Sequence, residues 1–238
     1  MSQLLEKTQA DVPETRFGFW FLGTEVWHVS VLNRAFDDLE RMLKPRQASY
    51  PVVLDVGCGQ GRSLLELAKR FGPEKIIAVD ADAPSIEIAK KTTQACAVPV
   101  EWHCAKASAL PVADASVDLV FCHQTLHHVI EQDAMLAECF RVLKPGGTFL
   151  VAESTKAYIH SWIIRLLFRH PMHVQRTAEE YVAMAKAAGF TVAPEQISTP
   201  YLWWSRSDVG AFEWFGFRVP KEREREETLV NFIAFKPK

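Results

Sequence analysis

The sequence predicts an α/β fold in which a mostly parallel sheet carries helices on both faces. Two observations carry that prediction. From residue 52 onward, short runs rich in Val, Ile and Leu alternate with segments of helical periodicity, the pattern of strands joined by crossover helices. At residues 53–61, Val-Leu-Asp-Val-Gly-Cys-Gly-Gln-Gly, an apolar run ends in three glycines, and a helical pattern begins at Arg62. Gly57, Gly59 and Gly61 allow a tight turn and close approach of a ligand to the backbone. Asp80 closes the next apolar run, Ile76 to Val79, about twenty residues on, where an acidic side chain meets ribose hydroxyls in nucleotide-binding sheets.

Taken in order, the chain opens with a polar stretch and an aromatic cluster, Phe17 to Phe21, followed by helical spacing of Val29, Leu32, Phe36, Leu39 and Leu43. Pro45 and Pro51 break that helix before the first strand, 52–56. Further strands are expected at 76–79, 99–103, 117–122 and 147–152, and helices near 62–71, 84–95, 132–142 and 177–188. Lys144-Pro-Gly-Gly reads as a turn feeding the strand from Thr148, because glycine accepts positive φ and the residue before proline leaves the helical region. Beyond Glu153 the alternation lapses. Tyr158 to His170 reads as an added helix, Thr191 to Ile197 as strand-like, Tyr201 to Phe217 as an aromatic stretch, and Leu229 to Phe235 as a last strand. The mixed charge run 221–227 reads as a solvated hairpin tip.

Composition narrows the function classes. A chain of 238 residues with 48% hydrophobic content suits one folded α/β domain with additions, spanning 1–238. A net charge of -2, from 27 basic and 29 acidic residues, gives no global attraction to nucleic acid or an anionic bilayer, and nucleic acid is not an expected partner. The five cysteines form no CxxC pair, so neither a zinc site nor a disulfide framework is expected, and a reducing compartment fits. No apolar run approaches the ~18 residues of a membrane span, and a cytoplasmic location is the expectation.

Several ordered motifs resemble the class I S-adenosylmethionine-dependent methyltransferases, in the group that includes ubiquinone and menaquinone biosynthesis enzymes. They are Leu54-Asp-Val-Gly-Cys-Gly-Gln-Gly, Val79-Asp80, Ala109-Leu-Pro-Val-Ala-Asp-Ala-Ser-Val-Asp-Leu-Val, Leu126-His-His-Val, and Arg141-Val-Leu-Lys-Pro-Gly-Gly. The resemblance implies a Rossmann-like seven-stranded sheet, with 48–155 as cofactor core, 1–47 as an N-terminal helical lid, and 156–238 as substrate-side helices and closing strands. It implies S-adenosyl-L-methionine as cofactor. Asp55 would accept around its ammonium end, Gly57, Cys58, Gly59 and Gly61 would leave room for its methionine portion, and Asp80 with Ala81 would meet the ribose. Ala107 and Ser108 would flank adenine, and Cys122 and His123 the methionine moiety. One departure stands out: relatives commonly carry Gly-Asp-Ala before this Ala-Leu-Pro, whereas the aligned stretch here is Ala105-Lys106-Ala107. A lysine cannot accept the hydrogen bond that the acidic group takes from the adenine amine.

Methyl transfer needs a nucleophile held ~3–3.5 Å from the methyl carbon and, for some acceptors, a base. His127, His128 and Glu153, at the ligand-facing strand ends, are the candidate catalytic residues, each with a structural reading beside it: turn packing for the histidines, a helix cap for Glu153. The aromatic clusters at 17–21, 162–168, 203–204 and 212–217 read as an apolar acceptor pocket or as ordinary core and dimer contact. Trp162, Ile163, Leu166 and Leu167, flanked by Arg165 and Arg169, also fit transient contact with a membrane surface. The preferred function is methyl transfer to a small hydrophobic, aromatic or lipid-like acceptor. The alternatives are a protein- or RNA-directed methyltransferase, a non-methylating or sensor protein that binds the same cofactor, and a dinucleotide oxidoreductase.

Overall fold

The computed structural model describes residues 15–201, 211–218 and 227–238. The predicted pocket residues Trp203 and Trp204, the side chain of Phe212 and the charge run over 221–226 lie outside them. The chain enters through α1 (Arg16–Leu22), α2 (Glu25–Trp27), a π-helical turn His28–Leu32, and α3 (Asn33–Met42). It continues as β1 (Val52–Val56), α4 (Arg62–Phe71), β2 (Lys75–Asp80), α5 (Ala83–Thr92), β3 (Val100–Cys104), β4 (Val117–His123), a 3-10 turn Leu126–His128, α6 (Gln132–Val142) and β5 (Leu143–Ser154). Then come α7 (Lys156–Ile159), α8 (Trp162–Leu167), α9 (Ala178–Ala187), β6 (Ile197–Ser198), α10 (Ala211–Trp214) and β7 (Leu229–Phe235).

The sheet has seven strands in the order β3-β2-β1-β4-β5-β7-β6, and this is the Rossmann-like α/β arrangement. β1 to β5 are parallel to their neighbours, and β7 runs antiparallel to β5 and β6. Strand alternation sends side chains to two separate cores. Leu54, Val56, Ile77, Val79, Val120 and Phe149 pack beneath α6 and α9, while Val53, Ile76, Ala78, Leu119, Phe121 and Leu150 pack beneath α3 and α4. The second face is fastened at its rim by Arg70, whose guanidinium reaches Asp37, Glu40 and Glu66 and so joins α3 to α4.

Local chemistry sets the element ends. α4 stops at Gly72, which takes a left-handed φ of 56°, and α5 starts at Asp82, whose side chain accepts from Ser85 N at 2.9 Å with Pro84 in the first turn. α9 has a capping box between Thr177 and Glu180.

Three expectations are corrected. Tyr158 to His170 is not one helix: α7 ends at Ile159, and Ser161 in an extended conformation starts α8. Thr191 to Ile197 is not a strand but a single bridge from Thr191 to Phe235, followed by a 3-10 turn at Pro194–Gln196 and the two-residue β6. Lys144-Pro-Gly-Gly does not precede its strand but lies inside β5, where pairing with β4 shifts register between Val117 and Leu119. The shift absorbs the proline and Gly146, whose φ is 77°.

The β1–α4 turn depends on close approaches. At Gly57, with φ 79°, an added Cβ would lie 2.1 Å from Thr125 Oγ1, and at Gly61, with φ 85°, it would lie 2.9 Å from Ala89 on α5. We predict that Gly61→Ala lowers stability by about 2 kcal/mol or more through backbone strain and this clash. Urea denaturation checks it, and an unchanged midpoint would contradict the packing role.

Candidate functional site

β1 lies where the chain, having built the sheet out to β3, returns to add β4 on the other side. Open α/β sheets leave a crevice at such a switch point, beyond the carboxyl ends of the strands. Here it is a cavity of about 870 Å³, lined by the β1–α4 turn, the end of β2, residues 105–108, residues 123–131 and, as a roof, Thr15, Arg16, Phe19, Leu22 and Trp27.

Asp80 organises the polar end. One carboxylate oxygen accepts from Gly59 N and the other from Asp82 N, each at 2.8 Å, so the side chain clamps the glycine turn to the tip of β2. Burial raises its pKa, opposed by those N–H donors. Beside it, Asp55 is almost wholly buried and accepts from Ser63 Oγ at 2.5 Å. Burial pushes Asp55 up to about 7, against the Ser63 hydrogen bond and with help from the Asp80 charge. At Gly59 an added Cβ would meet no protein atom within 4 Å, so the backbone there lies open to the cavity.

The roof is attached by the turn itself. Gln60 Nε2 donates to Phe19 O at 2.8 Å, and Arg62 donates to Gly23 O at 2.8 Å and to Glu25 at 2.7 Å. Thr15 Oγ1 donates to Leu167 O at 2.6 Å, and Phe17 and Phe21 pack edge-on against Phe168, which joins α1 to the end of α8.

The predicted site residues divide. Asp55, Gly57, Cys58, Gly59, Asp80, Ala81, Ala107, Ser108, His123 and His128 line the cavity. Gly61, Cys122, His127 and Glu153 are not among its lining residues. Gly61 faces Ala89, and Cys122 points Sγ at Glu153 Oε1, 3.5 Å away. Glu153 is fully buried beneath the floor. Oε1 accepts from Thr125 N at 2.7 Å and Leu126 N at 2.6 Å, and Oε2 is 2.6 Å from His127 Nδ1. Burial alone would raise its pKa, but the charge and hydrogen bond of His127 and the backbone donors outweigh it and hold the carboxyl below its ordinary value. Two of the three candidate bases therefore form a buried pair that shapes the floor, and of the three only His128 reaches the cavity wall.

His123 is buried between Phe121 and Trp27, its Nε2 has no hydrogen-bond partner among the described residues, and burial lowers its pKa to about 4. It is a neutral ring on the wall with an unused polar atom. Burial likewise lowers His128 well below the ordinary range and His170 to about 3. Lys106 is exposed at the mouth. Sequence reasoning missed Glu131, which lines the wall and accepts from Ser108 Oγ at 2.7 Å. It also missed the parts of Trp27 and Thr125. Contacts across many residues define all three, and no local pattern signals them.

The raised pKa of Asp55 makes the folded chain bind a proton that the unfolded chain, with an ordinary pKa near ~3.9, has released. Stability without ligand should therefore fall as pH rises from about 4 to 7, by about 4 kcal/mol at most from this group. Urea denaturation of the wild type and Asp55→Asn across pH 5–8 checks it: the variant should lack that component, and identical slopes would rule it out.

Known proteins share parts of this sequence and this fold. Residues 54–151 match the family described as a methyltransferase domain. Malonyl-[acyl-carrier protein] O-methyltransferase of Xylella fastidiosa is 35% identical over 99 residues, 42% of this chain and 33% of the relative. Ubiquinone biosynthesis O-methyltransferase of Chelativorans is 32% identical over 100 residues, 42% of this chain and 39% of the relative. The chain spans about half or less of the length of the first curated relatives it matches. Among solved structures, a chain of the complex containing the Haloferax volcanii Trm112 methyltransferase activator superimposes with a TM-score of 0.66 at 22% identity, over 93% of each chain, and shares the fold. Over residues 54–151 this chain thus matches the methyltransferase-domain family and resembles proteins named as S-adenosylmethionine-dependent and O-methyltransferases.

Proposed function

We propose that this chain binds S-adenosylmethionine and catalyses transfer of its methyl group to a small hydrophobic acceptor, aromatic or lipid-like. The observation that carries this is one continuous cavity of about 870 Å³ whose acidic, glycine-lined end at the strand tips merges with an aromatic roof. Its size fits a cofactor together with a small partner.

The lining residues fit the cofactor. Asp80 keeps acceptor capacity beyond its two backbone donors, since an ionised carboxylate offers about four lone-pair sites, and suits a ribose diol. Asp55 would face the ammonium end, the open backbone at Gly59 the methionine portion, and Ala107 and Ser108 the adenine. Bound there, the sulfonium supplies an electrophilic methyl group. The chain's own part is placement: Trp27, Phe19 and His123 exclude water and orient the acceptor, and the buried Glu153–His127 pair keeps the 3-10 turn rigid beneath it.

Glu131 compensates for Lys106 in this reading. It borders the same end of the cavity as Ala107 and Ser108 and offers the carboxylate acceptor that lysine does not. Trp20, Trp162 and Leu166 are 63%, 77% and 71% exposed, apolar surface that supports an apolar acceptor or a lipid surface as its source. Relatives named for O-methylation in ubiquinone biosynthesis and of a malonyl carrier add support for an oxygen nucleophile.

Titration calorimetry with S-adenosylmethionine, S-adenosylhomocysteine and NAD tests the reading. Binding of the first two without NAD is expected, weakened more than about tenfold by Asp80→Ala with the fold retained, as expected for loss of charge-assisted hydrogen bonds. No binding of either sulfur compound would overturn it. Glu131→Gln should weaken binding about threefold to tenfold, with S-adenosylhomocysteine affected equally because both carry adenine. Unchanged affinity would remove Glu131 from the adenine site.

A further inference from the structure

Beside the cavity wall at His128, three imidazoles converge from two parts of the chain. His127 and His128 lie on the 3-10 turn after β4, and His170 follows α8. Their ring centroids are 4.2, 5.1 and 4.8 Å apart, and one ring nitrogen from each lies within 4.8 Å of the others. Among the described residues neither His128 nor His170 has a hydrogen-bonded partner for its ring, although both are at least half-buried.

We propose that His127, His128 and His170 form a three-nitrogen site for a zinc-type divalent cation, with a fourth position open toward the cavity.

Three features support the site. First, Glu153 accepts from His127 Nδ1 at 2.6 Å. The carboxylate is acceptor-only, so it fixes the proton on Nδ1 and leaves Nε2 as the free lone pair, the carboxylate–histidine arrangement that orients metal-bound imidazole. Second, the two ligand-bearing segments are already fastened together. Gln175 Nε2 donates to the His127 carbonyl at 2.8 Å and to the Pro171 carbonyl at 3.0 Å, so the residue next to His170 is tied to the turn carrying the other two. Third, the donor set is chemically selective: imidazole nitrogens suit Zn²⁺ and its neighbours and not the oxygen-seeking Mg²⁺ or Ca²⁺. Zn–N bonds of about 2.0–2.1 Å in a tetrahedral site place nitrogens about 3.4 Å apart, so cation binding draws the rings inward by about 1 Å, within reach of side-chain rotation at the partly exposed His170.

Three protein ligands leave one position open, as in catalytic rather than structural zinc sites. Because His128 lines the cavity, a cation here would border the space for the acceptor, and the ligand class that fits the open position is a hydroxyl or thiol. The site does not depend on the methyl-transfer reading, since uptake of metal is measured without cofactor.

The full chain, stripped with EDTA, is titrated with Zn²⁺ by calorimetry and with Co²⁺ by visible absorption. One equivalent of each is expected, with a Co²⁺ spectrum of nitrogen ligation lacking the intense thiolate charge-transfer band. His170→Ala should weaken Zn²⁺ binding at least about tenfold with unchanged circular dichroism. His170→Cys should restore binding and introduce the thiolate band, while Cys104→Ser, changing an exposed thiol, should leave uptake intact. No saturable uptake by the wild type, equal affinity in folded His170→Ala, or loss of uptake in Cys104→Ser would overturn the proposal. S-adenosylmethionine binding measured on the same samples separates failure of this site from failure of the cofactor assignment.

Discussion

A single buried carboxylate, that of Glu153, holds the site's architecture together. Parallel strands end with unsatisfied polar groups just where a ligand must approach, and the segment after β4 has little regular structure of its own to satisfy them. Glu153 supplies the missing acceptor: two backbone donors and the His127 ring converge on it with no contact to solvent. Removing one partner of such a buried pair typically costs about 3–5 kcal/mol, because the remaining charge stays stranded. The turn it fixes places Thr125 directly against Gly57, so the position of the β1–α4 turn, the clamp from Asp80 and the cavity floor all follow from it.

Two other carboxylates use burial differently. Asp80 is surrounded by backbone donors and lies at the cavity edge, whereas Asp55 has Ser63 as its hydrogen-bond donor and a like charge nearby. The three acids at the strand ends thus hold distinct proton affinities within one small region. Charge is retained under the floor and adjustable beside the glycine turn.

Much of the sheet was legible because each strand had to be apolar on both faces and each crossover helix on one. The β1–α4–β2 unit was clearest: α4 spans the 62–71 expected after the glycine turn, and Asp80 ends β2 at the position expected for it. Beyond Ser154 the logic failed. α7 and α8 are too short to show a period, and Thr191 to Ile197 had alternation enough for a strand but a 3-10 turn where Pro194 and Gln196 close on each other. At the site, local motifs located many of the residues that line the cavity but not their depth. Glu153 and His127 looked like neighbours of the ligand because they end a strand and begin a turn, yet they are bound to each other below it. His170 joins His127 and His128 only through the fold, across a sequence distance that no spacing rule spans.

The manner in which the roof is attached bears on how such a chain can change its chemistry over time. Gln60 and Arg62 reach from the cofactor-side turn to the main-chain carbonyls of Phe19 and Gly23. A carbonyl is present whatever side chain occupies the position, so substitution at Phe19 alters the shape and polarity of the cavity roof without cutting that tether. Grip on one reactant and choice of the other are in this way written in separate alphabets, main chain and side chain, and a lineage can revise the second while leaving the first untouched.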